Sequence, residues 1–186
     1  MLAVVQVIVL AGQSVAREKE QGTFDQLLVT PFGPMTIMLG KAIPPVLVGL
    51  VQSTLVLLIA LHWFAIPFAG AFPLLYAALI LFNFAIVGIG LCVSALTSTM
   101  QQAMLYSFSL LMPMILLSGF ITPVTSMPEV LQCVTQLNPV RYGVELAQRI
   151  YLEGAGFQET QHLFWPLGVI AVMTLGMASR LFRSRL

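Results

Sequence analysis

The sequence predicts an all-α fold, a polytopic bundle of transmembrane helices, and three observations lead to it. Apolar residues make up 59% of the chain and charged residues only 8%, against roughly 45–50% and about 25% in soluble domains. No Asp, Glu, Lys or Arg occurs in the 87 residues between Lys41 and Glu129. Prolines, glycines and short polar runs divide the apolar sequence into segments long enough to cross a membrane.

About five spans are expected, and the first of them is incomplete. One crossing needs about 20 apolar residues, so the long uncharged stretch holds three spans with short connections. Proline, glycine and polar residues place these spans at roughly Ala42–Phe64, Phe72–Ala95 and Met100–Leu117. A second uncharged stretch of 20 residues, Thr160–Ser179, predicts a last span over Leu163–Ser179.

The first segment, Met1–Gln21, is interpreted as the lower part of a span that begins before this chain. Its uncharged run of 16 residues is short for a complete span. A signal peptide carries positive charge before its apolar stretch, whereas here Arg17 and Lys19 follow it. That order is typical of a helix that ends on the cytoplasmic side.

A short amphipathic helix is predicted directly after this segment. Gly22 suits the end of the first helix, and Thr23-Phe24-Asp25-Gln26 has the form of a capping box. Phe24, Leu27 and Leu28 then fall on one helical face, with Asp25 off it. Because Pro31 stops this helix so soon, it suits a membrane interface and not a crossing.

Two short helices are expected between the fourth and last spans. Ser126-Met127-Pro128-Glu129 is predicted to cap the first, which ends at Asn138-Pro139, and the second runs from Val140 to Glu153. The second helix carries a charged stripe with steps of four residues: Arg141, Glu145, Arg149 and Glu153. The stripe is either a salt-bridged polar face or a ladder of groups that contacts a transported substrate.

No residue pattern indicates an enzyme or a bound cofactor. His62 and His162 lie at span ends, and Cys92 and Cys133 are too isolated for a zinc site. Gly40-Lys41 lacks the other residues of a phosphate-binding loop, and a net charge of +1 gives no reason to expect nucleic acid. The second to fourth spans contain no ionisable group of the kind that ion-coupled carriers use, so the energy for any transport is expected to enter from outside the membrane part.

Two sequence stretches resemble the permeases of ATP-binding-cassette exporters of the ABC-2 type. Arg17 to Pro31, which reads REKEQGTFDQLLVTP, resembles the coupling-helix segment of that family. Ser118 to Pro123 (SGFITP), followed by Met127-Pro128, Leu137-Asn138-Pro139 and Arg141-Tyr142, resembles the stretch after the family's fifth span. The two stretches occur in the family's order and spacing, and the resemblance covers essentially the whole chain.

The resemblance implies six spans per subunit and an assembly of two permease subunits with two ATPase subunits. By that pattern, residues 1–186 supply the second to sixth spans, without the first span and the outer domain that often follows it. ATP would be bound by the ATPase subunit, so the permease itself would need no cofactor. The implied location is the bacterial inner membrane, and the implied function is export of a lipophilic or amphipathic substrate such as a drug, lipid or polysaccharide. A non-transporting scaffold or an inactive permease fragment is the alternative.

The same resemblance assigns two groups of residues. Segment 17–31 would dock into the ATPase, with an apolar plug and an acidic rim. The assigned coupling residues are Glu18, Glu20, Thr23, Phe24, Asp25, Leu27 and Leu28. The assigned residues of the outer-face helices are Pro128, Pro139, Arg141, Tyr142, Glu145 and Arg149.

The topology can be tested by thiol labelling in intact cells. With segment 17–41 inside, the cytoplasmic side carries six of the eight Lys and Arg residues and the outer side two, as the positive-inside rule requires. In a background with both native cysteines replaced by serine, Gln21→Cys and Ser184→Cys should be shielded from an impermeant thiol reagent, and Gln158→Cys should be labelled. Labelling of Gln21→Cys in sealed cells would overturn this topology.

Overall fold

A computed structural model describes residues 2–23, 33–121 and 123–183, and these residues form an all-α bundle. The helices, in chain order, are α1 (Leu2–Glu20), α2 (Pro34–His62), α3 (Phe72–Leu96), α4 (Met100–Leu116), α5 (Glu129–Thr135), α6 (Pro139–Gln148) and α7 (Phe157–Arg183). A 3-10 turn, Val124–Ser126, precedes α5, and a π-helical turn, Arg149–Glu153, continues α6.

Three of these helices, α2, α3 and α7, are long and apolar enough to cross a membrane, which confirms the predicted fold class. Helix α4 is apolar but has only 17 residues, a length of about 26 Å at 1.5 Å per residue. Helix α1 has 19 residues, and its last four are charged. Its apolar part is therefore shorter than a full crossing.

Two helices begin more than a turn before the spans expected within them. Helix α2 begins at Pro34, as the sequence indicates for a proline at the first helical position, and so extends beyond the expected start of the span at Ala42. Pro44 and Pro45 consequently lie inside the helix. Helix α7 begins at Phe157, not at Leu163, so its first turn carries Glu159, a favourable place for a negative charge.

The end of α1 has the predicted glycine, in the left-handed conformation with φ +70°. The N–H of Gly22 donates to the carbonyl of Lys19 over 3.3 Å, and the N–H of Thr23 donates to that of Glu18 over 3.0 Å. This pair of bonds is a Schellman motif, which satisfies carbonyls that the helix itself leaves free. The chain therefore turns away from α1 directly before the segment 24–32.

The turn between α3 and α4 is capped one residue later than expected. Ser98 and Gln101 have the spacing of a capping box in the sequence, but α4 begins at Met100 with Thr99 as its N-cap. The Thr99 hydroxyl accepts from the N–H of Gln102, and the Gln102 side chain accepts from the N–H of Ser98, both over 3.3 Å. Both Ser98 and Thr99 fit the capping pattern in sequence, so only the true start of the helix distinguishes them.

Helix α3 lies at the centre of the bundle and packs against α1, α2 and α7. Glycines permit the close approach at each contact. Gly90 of α3 lies against Ala11 of α1, and Gly88 of α3 lies against Thr174 of α7. On the third side, Gly49 of α2 lies against Asn83 of α3.

The segment between α4 and α7 forms the two short helices that the sequence predicts. Helices α5 and α6 have seven and ten residues, too few to span a bilayer. Ser126, the expected cap of α5, lies in the 3-10 turn, and Pro128 occupies the N-cap position instead. Gly154, with φ +67°, ends the second helix in the left-handed conformation, as expected for the glycine after it.

The close approach of α1 to α3 predicts opposite effects for two Gly→Ala variants. A Cβ at Gly90 would stand 2.6 Å from the Cβ of Ala11 and 2.9 Å from the carbonyl oxygen of Ile8, whereas one at Gly176 meets open space. Overpacking of this kind costs about 1–3 kcal/mol, while an unobstructed Gly→Ala change in a helix gains roughly 0.5–1 kcal/mol.

Thermal unfolding of the purified protein in detergent should therefore show a lower midpoint for Gly90→Ala, and an unchanged or higher one for Gly176→Ala. Equal midpoints for the two variants would contradict the described contact.

Candidate functional site at the ends of α1 to α4

The candidate site is the place where the predicted coupling segment joins the bundle. Of the seven residues assigned to coupling, the structure describes Glu18, Glu20 and Thr23. The other four lie outside the described residues, and their docking role stays a prediction: Phe24, Asp25, Leu27 and Leu28. What the structure describes is therefore how the two flanks of this segment are held.

An ion pair joins the two flanks of the segment. The carboxylate of Glu18, near the end of α1, contacts the ammonium group of Lys41 in α2. Lys41 is 11% exposed and Glu18 is 28% exposed, so the pair is partly shielded from water and from screening by salt. Glu18 precedes the segment 24–32 and Lys41 follows it, so this contact joins the two flanks of that segment.

Lys19 binds the end of α3. Its ammonium group donates to the carbonyl of Ala95 over 2.7 Å and to the carbonyl of Thr97 over 3.1 Å. The last carbonyls of a helix have no partner within that helix, and a positive charge there is favoured by the helix dipole. Lys19 therefore acts as a C-terminal cap that is supplied by another helix.

Glu20 binds the start of α4. One carboxylate oxygen accepts a hydrogen bond of 2.8 Å from the N–H of Met100, the first residue of that helix. A negative charge at a helix N-terminus is stabilised by the dipole and by the free N–H groups. Glu18 and Glu20, which the sequence assigned to the rim of an ATPase contact, thus have partners within their own chain.

Ser94 holds α1 against α3 one turn deeper in the bundle. Its hydroxyl oxygen accepts from the N–H of Val15 over 2.8 Å and from the N–H of Ala16 over 3.0 Å. Ser94 is completely buried, so these two bonds form where water does not compete. The spacing of Gly90 and Ser94 in the sequence indicates close helix packing but does not reveal these bonds to α1.

The opposite end of the bundle has a comparable polar connection at Asn138. The Asn138 amide nitrogen donates to the carbonyl of Met114 in α4 over 2.7 Å, and its oxygen accepts from the N–H of Val140 over 3.0 Å. Asn138 is thus the N-cap of α6 and also binds the end of α4. Sequence reasoning missed this role, although Asn before Pro139 is a recognisable helix start.

The six residues assigned to the outer helices have mostly structural contacts. Tyr142 donates its hydroxyl to the carbonyl of Gln136 over 2.9 Å, and Arg141 donates to the hydroxyl of Thr135 over 2.6 Å. Pro128 and Pro139 stand at the starts of α5 and α6, and Glu145 pairs with Arg149 over 2.8 Å.

The charged stripe is interrupted by these contacts. Glu145 and Arg149 form the ion pair that a salt-bridged face predicts. Arg141 turns instead to Thr135, and Glu153 belongs to the π-helical turn, whose longer repeat breaks the four-residue spacing. In the described part of the chain, the stripe therefore contains the Glu145–Arg149 ion pair, and its contact with a transported substrate stays a prediction.

Comparisons with known proteins agree with this architecture. A family model described as "ABC-2 type transporter" matches residues 1–152. A protein of Escherichia coli K12 named "Probable multidrug ABC transporter permease YbhR" is 42% identical over 185 residues, which cover 100% of this chain and 50% of that protein.

Two further relatives extend the comparison. The E. coli K12 protein "Inner membrane transport permease YhhJ" is 36% identical over 172 residues, 92% of this chain and 45% of that protein. "ABC transporter G family member 20" of Dictyostelium discoideum is 25% identical over 156 residues, 84% of this chain and 21% of that protein. The chain thus spans about half the length of the bacterial relatives it matches.

The family match includes both the flanks of the coupling segment and the outer helices, the two regions whose geometry is described above. The all-α bundle, with two short helices before its last long helix, has the architecture that the resemblance in these regions implies. The chain belongs to the ABC-2 type transporter family.

Proposed function

We propose that this chain is the membrane-spanning part of the permease subunit of an ATP-driven exporter in the bacterial inner membrane. The observation that carries the proposal is the arrangement at the flanks of segment 24–32. Glu18, Lys19 and Glu20 connect these flanks to α2, α3 and α4. A force applied to this segment would reach three other helices through direct polar contacts.

The proposed mechanism is alternating access driven from outside the membrane. A separate ATPase subunit binds and hydrolyses ATP, and its closure moves the coupling segment. The permease contributes no catalytic group and needs no cofactor of its own. This division of roles is supported by the relatives, which are named as permeases of ABC transporters.

A second permease copy is the other proposed partner, and the transport path would lie between the two copies. Helix α4 supports this proposal because it buries only Ala103, Ser107 and Leu111 within its own chain. Its remaining surface is strongly apolar and is open to lipid or to another copy: Leu105, Tyr106, Phe108 and Met112 are each at least 45% exposed. A path with such a lining favours a lipophilic or amphipathic substrate over a small ion.

The ATPase contact can be tested with two charge variants of the coupling segment. Burial of a leucine in a partner groove contributes roughly 1.5–3 kcal/mol, so Leu28→Asp should weaken ATPase binding by about 10-fold to 100-fold. Gln26→Asp adds the same charge on the opposite side of the predicted helix and serves as the control. In the full-length permease, Leu28→Asp should insert normally but lose ATPase co-purification and stimulation of ATP hydrolysis, while Gln26→Asp should keep both.

If these leucines merely rest on the membrane surface, both variants will retain the ATPase and its stimulation. That result would rule out the docking role of the segment and remove the main support for the transporter function.

A further inference from the structure

We propose that Lys19 and Glu20 are positioning residues that cap the turn between α3 and α4, so that a movement of the coupling segment is passed to α4. This inference rests on the proposed function and deepens it. Lys19 and Glu20, which lie next to the coupling segment, would then bind other helices of the permease and not the ATPase.

The turn between α3 and α4 contains no charged side chain that could bind the free carbonyls at the end of α3 or the free N–H groups at the start of α4. Residues 97–99 are Thr, Ser and Thr, and the Thr99 hydroxyl accepts only from the third helical N–H, that of Gln102. The first N–H of α4, on Met100, is taken by Glu20. The carbonyls of Ala95 and Thr97 are taken by Lys19, so α1 supplies both caps that the turn lacks.

The two caps differ in what they connect. Lys19 adds to an interface that is already fixed, because Ser94 binds the backbone of α1 at Val15 and Ala16. The ends of α1 and α3 therefore move together. Glu20 reaches beyond this pair to the first residue of α4, a helix that also packs on α1 further along, where Gly12 lies against Ser107 and Ala103. Glu20 is consequently the polar contact that ties the end of α1 to the start of α4.

A contact between Glu20 and the ATPase is the competing explanation, since Glu20 is exposed. The two explanations require different chemistry. A cap needs a hydrogen-bond acceptor, which the amide of glutamine also offers, whereas an ionic contact with a basic partner needs the negative charge. Glu20→Gln retains the acceptor without the charge, and Glu20→Ala removes both.

Met100→Pro supplies the matched change at the other end of the bond. Proline is well tolerated at the first position of a helix because its missing N–H has no partner in that helix. Thr99, with φ −127° and ψ 154°, already has the extended conformation that a following proline favours. The variant therefore removes the donor to Glu20 while it preserves the start of α4.

The experiment uses the full-length permease with its ATPase and measures three quantities for each variant. These are ATPase co-purification, the stimulation of ATP hydrolysis, and hydrogen exchange of the peptide that covers the first turn of α4. All variants should retain co-purification. Glu20→Ala and Met100→Pro should lose most of the stimulation, and Glu20→Gln should retain it. Exchange in the first turn of α4 should rise roughly fivefold in Glu20→Ala, the equivalent of one lost hydrogen bond, and stay unchanged in Glu20→Gln.

The combined variant provides a further check, because Glu20→Ala should have no additional effect in the Met100→Pro background. Equal losses of stimulation in Glu20→Gln and Glu20→Ala, with unchanged exchange, would overturn the proposal and favour an ionic contact with the ATPase. Unchanged stimulation and exchange in Glu20→Ala would also overturn it. If the wild-type permease does not co-purify with the ATPase, the proposed function fails. The hydrogen-exchange measurement alone then tests whether Glu20 caps the start of α4.

Discussion

The close approach of α1 to α3 is the contact on which the rest of the structure depends. Gly90 allows the backbone of α3 to lie against Ala11, and Ser94, one turn further along, accepts two hydrogen bonds from the α1 backbone. A larger residue at Gly90 would separate the helices. Ser94 can reach Val15 only at this separation, so the hydrogen bonds of the Ser94 hydroxyl depend on the absence of a side chain at Gly90.

This contact also brings the charged end of α1 within reach of the other helices. Lys19 can cap α3, Glu20 can reach Met100, and Glu18 can pair with Lys41 because α1 and α3 end at the same level. In a chain with so few charges, these polar contacts give the free helix ends partners that the apolar surroundings do not offer. The same contacts place the flanks of the coupling segment on three helices.

Much of the fold could be predicted from the sequence, because long apolar runs and their prolines and glycines determine where helices lie. The end of α1 at Gly22 and the short outer helices follow directly from such local signals. The partners of Glu20 and Ser94 could not be predicted, since these contacts join residues 78 to 80 positions apart. Residues 17–20 could be identified as important from their motif, but the choice between an internal and an external partner required the packing of α1 on α3.

The most direct test of this account compares two completely buried serines, Ser94 and Ser107. Ser94→Ala removes the acceptor that the N–H groups of Val15 and Ala16 share outside their own helix and should cost about 0.5–1.5 kcal/mol, the net contribution of a hydrogen bond. The Ser107 hydroxyl has no hydrogen-bond partner in the described part of the chain, so Ser107→Ala should cost nothing or be slightly stabilising. Thermal unfolding of the purified permease should give a lower midpoint for Ser94→Ala alone. Equal midpoints, or a larger loss for Ser107→Ala, would contradict the central role of the contact between α1 and α3.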